Sequence, residues 1–158
     1  MVWSADEIIG KKAALSNNDS CAECVQFGRF VGSTPFSSRG VSEVVFNILR
    51  DGCMAIGVTL ISNPWSPEST VNWKWLLFKS GMWSKIHYDD RINVKDYYMW
   101  GDKVKLIYNA NEGSLELLVN KLWIGPPYVS DTFRQVILYP TVDLLNSKVQ
   151  IADFKLRG

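Results

Sequence analysis

The segment Gly101–Tyr128 has the sequence GDKVKLIYNANEGSLELLVNKLWIGPPY, which is typical of two strands joined by a polar loop. Val104, Leu106 and Tyr108 alternate with two lysines, and Leu115, Leu117 and Val119 alternate with Ser114 and Glu116. Because successive side chains of a strand point to opposite faces, each run has one face for a core and one that is largely polar. Asn109–Gly113 supplies the Asn and Gly residues that tolerate positive φ in hairpin loops. The segment therefore predicts a β-hairpin.

Further strands follow at short spacing along the chain. Apolar residues alternate over 44–48 and again over 54–60, and Asp51-Gly52 between them predicts the turn of a second hairpin. The last two predicted strands are joined at Asn146-Ser147, where a tight turn is expected. Many short strands separated by Gly, Pro and Asn, with almost no helical period, predict an all-β sandwich or barrel.

The N-terminal part is organised differently. Ser4-Ala5-Asp6-Glu7 has the spacing of a capping box, which predicts a short helical turn ending near Gly10. Residues 16–24 are polar and predict a loop, after which Phe27–Val31 predicts the first strand of the sandwich. A chain of 158 residues that is 47% apolar is long enough for one domain with a substantial core.

Composition limits the classes of partner. The chain carries 17 basic and 16 acidic residues, a net charge of +1, and no run of like charge. Nucleic-acid binding is disfavoured, since it requires concentrated Lys and Arg. No apolar run reaches the roughly 20 residues of a membrane helix, and the N-terminus lacks the order of a secretory signal. The chain has three cysteines, an odd number that cannot all pair in disulfides. This favours a cytoplasmic or nuclear location with reduced thiols.

The supply of catalytic groups is small. His87 is the only histidine, and no Gly-x-Ser-x-Gly nucleophile elbow accompanies it. Cys21 and Cys24 have the spacing of a zinc or redox pair, but the partner pair and the βαβ context are missing. We therefore expect no enzyme activity, no metal site and no cofactor.

A series of short motifs in this order resembles the SPRY (B30.2) domain family. The matching motifs are Ala55-Ile56-Gly57-Val58, Gly101-Asp102, Glu112-Gly113, Leu115-Glu116-Leu117-Leu118-Val119-Asn120 and Leu138-Tyr139-Pro140-Thr141-Val142. Two departures mark a divergent member, because Glu43-Val44-Val45 stands near the place of the family's aromatic-Trp-Glu triplet and Lys121 replaces the usual Gly after Asn120. The resemblance implies a two-sheet antiparallel β-sandwich with a concanavalin-like jelly roll. It also implies a single domain over 1–158, in which 1–26 is an N-terminal extension that packs on the sandwich.

SPRY domains are similar in using loops at one end of the sandwich to hold a peptide or protein segment. The resemblance therefore implies a non-catalytic protein-interaction module with an intracellular protein partner, and a monomer is favoured. Pro64-Trp65 is the strongest candidate, because a large aromatic between prolines in a polar loop is costly to leave wet unless it packs or binds. The predicted ligand-binding residues are Thr34, Pro35, Phe36, Pro64, Trp65, Tyr97, Tyr98, Asn146, Ser147 and Lys148.

Several alternatives remain open from the sequence. Phe36 and Trp65 could each pack on the sandwich instead of binding, and Tyr97-Tyr98 could fill the core. A lectin-like, carbohydrate-binding sandwich is the second function, although the His-Asn-Arg series of a galectin-like site is absent around His87. A structural subunit of a larger complex is the third. It is suggested by Val136–Tyr139, which is apolar on both faces and predicts a cover, for which residues 1–15 are the simplest candidate.

Overall fold

The computed structural model of the chain describes residues 1–10, 12–50, 52–60, 73, 75–79, 82–86 and 101–157. Within these residues the chain is mostly strand, with two short 3-10 turns at Ala5–Glu7 and Asp131–Gln135. The all-β prediction is confirmed. The strands are β1 (Ile9–Gly10), β2 (Ala13–Ser16), β3 (Cys21–Val31), β4 (Val41–Arg50), β5 (Cys53–Leu60), β6 (Trp75–Lys79), β7 (Met82–Ile86), β8 (Lys103–Asn109), β9 (Ser114–Val119), β10 (Leu122–Trp123), β11 (Tyr128–Val129) and β12 (Leu138–Arg157).

The strands form one curled antiparallel sheet whose two halves are the layers of a sandwich. The first layer has the order β10-β9-β8-β4-β12-β3-β2, and it uses the C-terminal half of β12 and the N-terminal half of β3. The second layer has the order β7-β6-β5-β12-β3-β1, and it uses the other halves of β12 and β3. Both β3 and β12 therefore belong to both layers.

Strand β12 must bend back on itself, because one residue, Phe36, contacts both of its halves. The Phe36 N–H donates to the Leu138 carbonyl at 2.8 Å, and the Phe36 ring stacks on Phe154 with a centroid distance of 6.1 Å. A straight strand from 138 to 154 would span about 50 Å. The bend lies at Asn146, which has φ 51° and interrupts the register between Leu145 and Ser147.

The predicted hairpin of β4 with β5 is wrong. Each of these strands pairs with a different half of β12, and the register passes from Lys148↔Arg50 to Leu145↔Cys53. The chain at Gly52 thus crosses from one layer to the other instead of reversing within a layer. A Cβ at Gly52 would lie 2.2 Å from the Asn146 carbonyl oxygen, so the two bends are in contact and only glycine fits.

Strand β3 starts at Cys21, so the predicted loop over 16–24 is too long. Ala22 and Cys24 face the core of the first layer, and this burial stabilises strand structure in a segment that the polar sequence assigned to a loop. The register of β3 shifts at Val25 and Gln26, both exposed. We call the end of the sandwich formed by Val25-Gln26, Gly52 and Asn146 the bend end.

The hairpin predicted from the opening segment is confirmed as β8 and β9, paired from Val104↔Val119 to Asn109↔Ser114. Its apolar face lies in the core between the layers. The N-terminal turn is also confirmed, although it ends at Glu7 and the Ser4 side chain makes no capping hydrogen bond. Before this turn, Trp3 contacts both layers. Trp3 is 1% exposed, stacks on Phe46 at 5.7 Å and meets Phe30 edge-on at 6.2 Å.

Candidate functional site

Opposite the bend end, three connections meet at what we call the loop end. They are the loop 33–40, the hairpin loop 109–113 and the 3-10 turn Asp131–Gln135. The Ala110 N–H donates to the Gly40 carbonyl at 2.8 Å, and the Ser130 N–H donates to the Gly113 carbonyl at 2.9 Å. Backbone hydrogen bonds thus tie the three connections together.

The loop 33–40 is held by the Phe36 ring. Phe36 is 5% exposed and packs against Tyr108 at 5.8 Å as well as against Phe154. Of the two interpretations of Phe36, the buried one is therefore right. Its ring positions the loop and offers no surface to a ligand. Thr34 and Pro35 are half-buried at the tip of the loop and do contribute to the surface.

The hairpin loop is ordered by side-chain hydrogen bonds from polar residues. The Asn109 Oδ1 accepts from the Asn111 N–H at 3.0 Å and from the Glu112 N–H at 3.3 Å, which is the Asx-turn pattern. The Asn111 Oδ1 accepts from the Gly40 N–H at 3.3 Å, where φ of Gly40 is 70°. This loop therefore fixes the loop 33–40 from the other side.

The 3-10 turn brings an arginine to the same place. The Ser130 hydroxyl caps the turn by accepting from the Thr132 N–H at 3.3 Å, and the buried Phe133 ring holds the turn on the core. The exposed Arg134 then donates from Nη2 to the Asn111 carbonyl at 2.8 Å. Within the described part of the chain this is the hydrogen bond of the guanidinium, which has five N–H donors, so the described contacts leave donors for a ligand.

Between the three connections lies a pocket of about 380 Å³. Burial raises the pKa of the Tyr108 phenol above its usual range, and the nearby Arg134 guanidinium opposes the rise. The phenol thus stays protonated and provides a neutral hydroxyl beside a cation. A pocket of this kind suits a carboxylate or carbonyl oxygen next to a small apolar group. The pocket is lined by Ser38, Tyr108, Ala110, Asn111, Phe133, Arg134 and Val136.

Four predicted site residues, Pro64, Trp65, Tyr97 and Tyr98, lie outside the described residues. The described residues that flank the predicted Pro-Trp loop are at the loop end. Leu60 pairs with Leu138, which binds the Phe36 N–H, and Trp73 meets Phe133 edge-on at 6.1 Å.

The remaining three predicted residues are at the opposite end of the sandwich. Asn146 is exposed at the bend and Lys148 is half-buried, whereas Ser147 is fully buried and its hydroxyl donates to the Cys53 carbonyl at 3.2 Å. The expected single surface containing both Thr34-Pro35 and Asn146–Lys148 is therefore not formed. The tight turn that we expected to reach the binding loops is the bend of β12.

Sequence patterns alone do not mark the pocket residues Ser38, Asn111 and Arg134 as ligand-binding residues. Asn111 lies in the Asn109–Gly113 loop, which was recognised only as a turn. Arg134 follows Ser130, whose capping position in Ser-Asp-Thr-Phe-Arg could have indicated a helical turn that presents an arginine. The convergence of these residues depends on strand pairings distant in sequence, which local patterns do not contain.

The three cysteines are the other candidates for metal or redox chemistry in the sequence. Cys21 and Cys24 are buried and Cys53 is half-buried, and none of the three forms a disulfide. Burial raises the pKa of the Cys24 thiol, while the Gln26 backbone N–H and Arg50 lower it less. Within the described part of the chain, no group of three or more His, Cys, Asp and Glu side chains could hold a metal ion. No helix of the described residues is long and apolar enough to cross a membrane.

No family model matches the sequence, and no curated protein matches it. Solved structures do match the fold. The SPRY domain of human HERC1 has a TM-score of 0.65 at 16% identity, with 98% of this chain and 99% of that chain covered. The TRIM65 PSpry domain has a TM-score of 0.61 at 10% identity, covering 96% and 91%. A human SPRY domain has a TM-score of 0.56 at 14% identity, covering 89% and 94%.

These matches cover nearly all of this chain and nearly all of each matched domain. The structure is therefore that of a SPRY-like domain. The predicted two-sheet sandwich is confirmed with them. The low identity explains why only an ordered series of short motifs, and no long stretch of sequence, carried the resemblance.

Proposed function

We propose that the protein is a non-catalytic interaction module that holds a peptide segment of another protein at its loop end. The observation that carries the proposal is the pocket where three separate connections converge on Arg134 and Tyr108. Connections on a rigid sheet scaffold are the usual place for recognition. The likeness to SPRY domains supports the same class of function.

The pocket chemistry specifies what the peptide offers. Arg134 favours a carboxylate or a backbone carbonyl, because its free N–H groups point from an exposed side chain that is already oriented by Asn111. Ala110 and Val136 favour a small apolar side chain beside it. Thr34 and Pro35 form the neighbouring rim. Trp65 lies outside the described residues, and we propose it as an aromatic anchor for the same peptide.

The test begins with affinity capture of partners from a native cell extract and identification of the peptide bound. Isothermal titration calorimetry with that peptide then compares Arg134→Ala and Trp65→Ala with the wild-type protein. Each variant should weaken binding by roughly 1 to 2 kcal/mol, about tenfold.

Asn146→Ala is the matched control, since Asn146 is an exposed polar residue at the bend end. It should leave the affinity unchanged. Loss of binding in Asn146→Ala with full binding in Arg134→Ala would move the site to the bend end. Binding on a glycan array without any captured peptide would replace the proposal with the lectin-like function.

A further inference from the structure

A second surface lies on the outer face of the first layer, away from the loop-end pocket. Here five strands place one residue each in a single row on the same face, because directly paired residues of antiparallel strands share a face. The row runs from β12 to β10 as Asp153, Val45, Lys105, Leu118 and Trp123. It ends at a tryptophan that is 57% exposed at the edge of the sheet.

This row crosses a groove of about 750 Å³, within the range of about 300 to 1,000 Å³ that is usual for ligand sites. Its floor is aliphatic, made by Val45, Leu118 and Ala152. Three lysines line it against one carboxylate, and the full lining is Val45, Lys103, Lys105, Leu118, Asn120, Lys121, Ala152 and Asp153.

The charges in the groove are unevenly balanced. Lys105 Nζ lies 3.5 Å from Glu43 Oε2, and Asp153 Oδ2 lies 3.4 Å from Lys155 Nζ, so these two lining residues have partners. Among the described residues, no carboxylate lies within ion-pair distance of Lys103 or Lys121. Within this described part of the structure, the groove therefore presents two lysines without an ion-pair partner beside an apolar lining.

The turn that carries Lys121 is built by Asn120. The Asn120 Oδ1 accepts from the Lys103 N–H at 2.9 Å, and its Nδ2 donates to Asp102 Oδ1 at 2.9 Å. Lys121 itself has φ 71°, a left-handed conformation that glycine adopts at no steric cost. A lysine at this position is therefore less favourable for the backbone than glycine, and it adds a charge to the lining of the groove.

We propose that this groove binds an extended acidic peptide segment whose apolar side chains alternate with carboxylates. The apolar side chains of one face of the peptide would lie on Val45 and Leu118. The carboxylates point from the opposite face, so the exposed and flexible side chains of Lys103 and Lys121 would reach around the peptide to meet them. A second copy of this face would bring like charges together. A nucleic acid would need more phosphate contacts than two free lysines provide. The groove is separate from the loop-end pocket and does not depend on it.

The probe is a fluorescein-labelled octapeptide of alternating leucine and glutamate, measured by fluorescence anisotropy on the whole chain. The alternating leucine–lysine octapeptide controls for apolar binding. Lys121→Gly should weaken binding of the acidic peptide about tenfold while raising Tm, because it removes a charge and a strained conformation together. A purely structural role for Lys121 would change Tm without changing affinity.

Lys12→Gly is the matched control. Lys12 is also an exposed lysine in a left-handed conformation, with φ 59°, but it lies in the connection between β1 and β2. It should raise Tm and leave peptide affinity unchanged.

The proposal is overturned if the acidic peptide does not bind, if both peptides bind equally, or if Lys121→Gly binds like the wild type. Tighter binding of a single-stranded RNA octamer overturns it in favour of nucleic acid. Loss of binding in Arg134→Ala but not in Lys121→Gly would place the peptide at the loop end.

Discussion

The outer faces of the two layers differ sharply although the same alternation rule produces both. The outer face of the first layer carries exposed lysines and carboxylates around the groove. On the outer face of the second layer, Arg29 is 0% and Asp143 1% exposed, and Val31, Ala55, Trp75 and Leu77 form a second buried cluster. One face meets solvent, and the other is a second core.

Each outer face carries an ion pair, but the pair on the second layer is buried and the pair on the first layer is exposed. Arg29 Nε donates to Asp143 Oδ2 at 3.1 Å, and the two residues are direct cross-strand partners. The guanidinium carbon also lies 5.1 Å from the Trp75 ring centre. Buried charges are tolerated only when they are paired and hydrogen-bonded, whereas exposed pairs contribute little. The cost of removing one partner to the free energy of unfolding therefore depends on how deeply the ion pair is buried.

The largest difference between the two faces is expected from Asp143→Ala. It leaves the Arg29 charge buried without its carboxylate and should lower the free energy of unfolding by about 3 to 5 kcal/mol. Urea denaturation monitored by tryptophan fluorescence measures it. Asp153→Ala, which removes the 48% exposed partner of Lys155, is the control and should cost about 1 kcal/mol or less. Equal costs would show that the two faces are not energetically distinct.

A second comparison uses an uncharged residue on each outer face. Leu77 is 0% exposed on the second layer, so Leu77→Ala should lower the free energy of unfolding by about 2 to 4 kcal/mol. Leu118 is half-buried on the first layer, and Leu118→Ala should cost about 1 kcal/mol or less. The same denaturation series tests both, and a larger cost at Leu118 would contradict the assignment of exposed and buried faces.

The smallest effect is expected at Glu116, which points to the outer face of the first layer. Burial, and then repulsion from Glu112, raises the pKa of this carboxyl above its usual 4.5. Because the folded state holds the proton more tightly, this group favours folding at low pH, and its contribution is lost as pH rises through the raised pKa.

Glu116→Gln should therefore stabilise the protein at neutral pH by about 0.5 kcal/mol or less, with the difference vanishing below pH 4.5. Thermal unfolding of both proteins between pH 4 and pH 7 measures this trend. A difference that grows toward low pH would have the wrong sign.

Prediction from sequence succeeded where neighbours in the chain are also neighbours in the sheet. The hairpin of β8 and β9 followed from alternation and turn residues, and its apolar face is in the core. Prediction failed for the partners of β4 and β5, because Asp51-Gly52 indicates a change of direction but not whether the chain stays in the same layer. The predicted site was divided for the same reason, since Asn146 belongs to a bend and not to the binding loops.

Local sequence patterns are sufficient for the all-β class, for most of the strands and for the likeness to SPRY domains, because alternation and turn chemistry are local properties. Three-dimensional packing is needed to know which strands join both layers, which outer face is buried and that Arg134, Asn111 and Tyr108 meet in one pocket. Those features depend on pairings between residues far apart in the chain, such as Arg29 with Asp143, and long-range pairing leaves no periodic signal in either partner's own sequence.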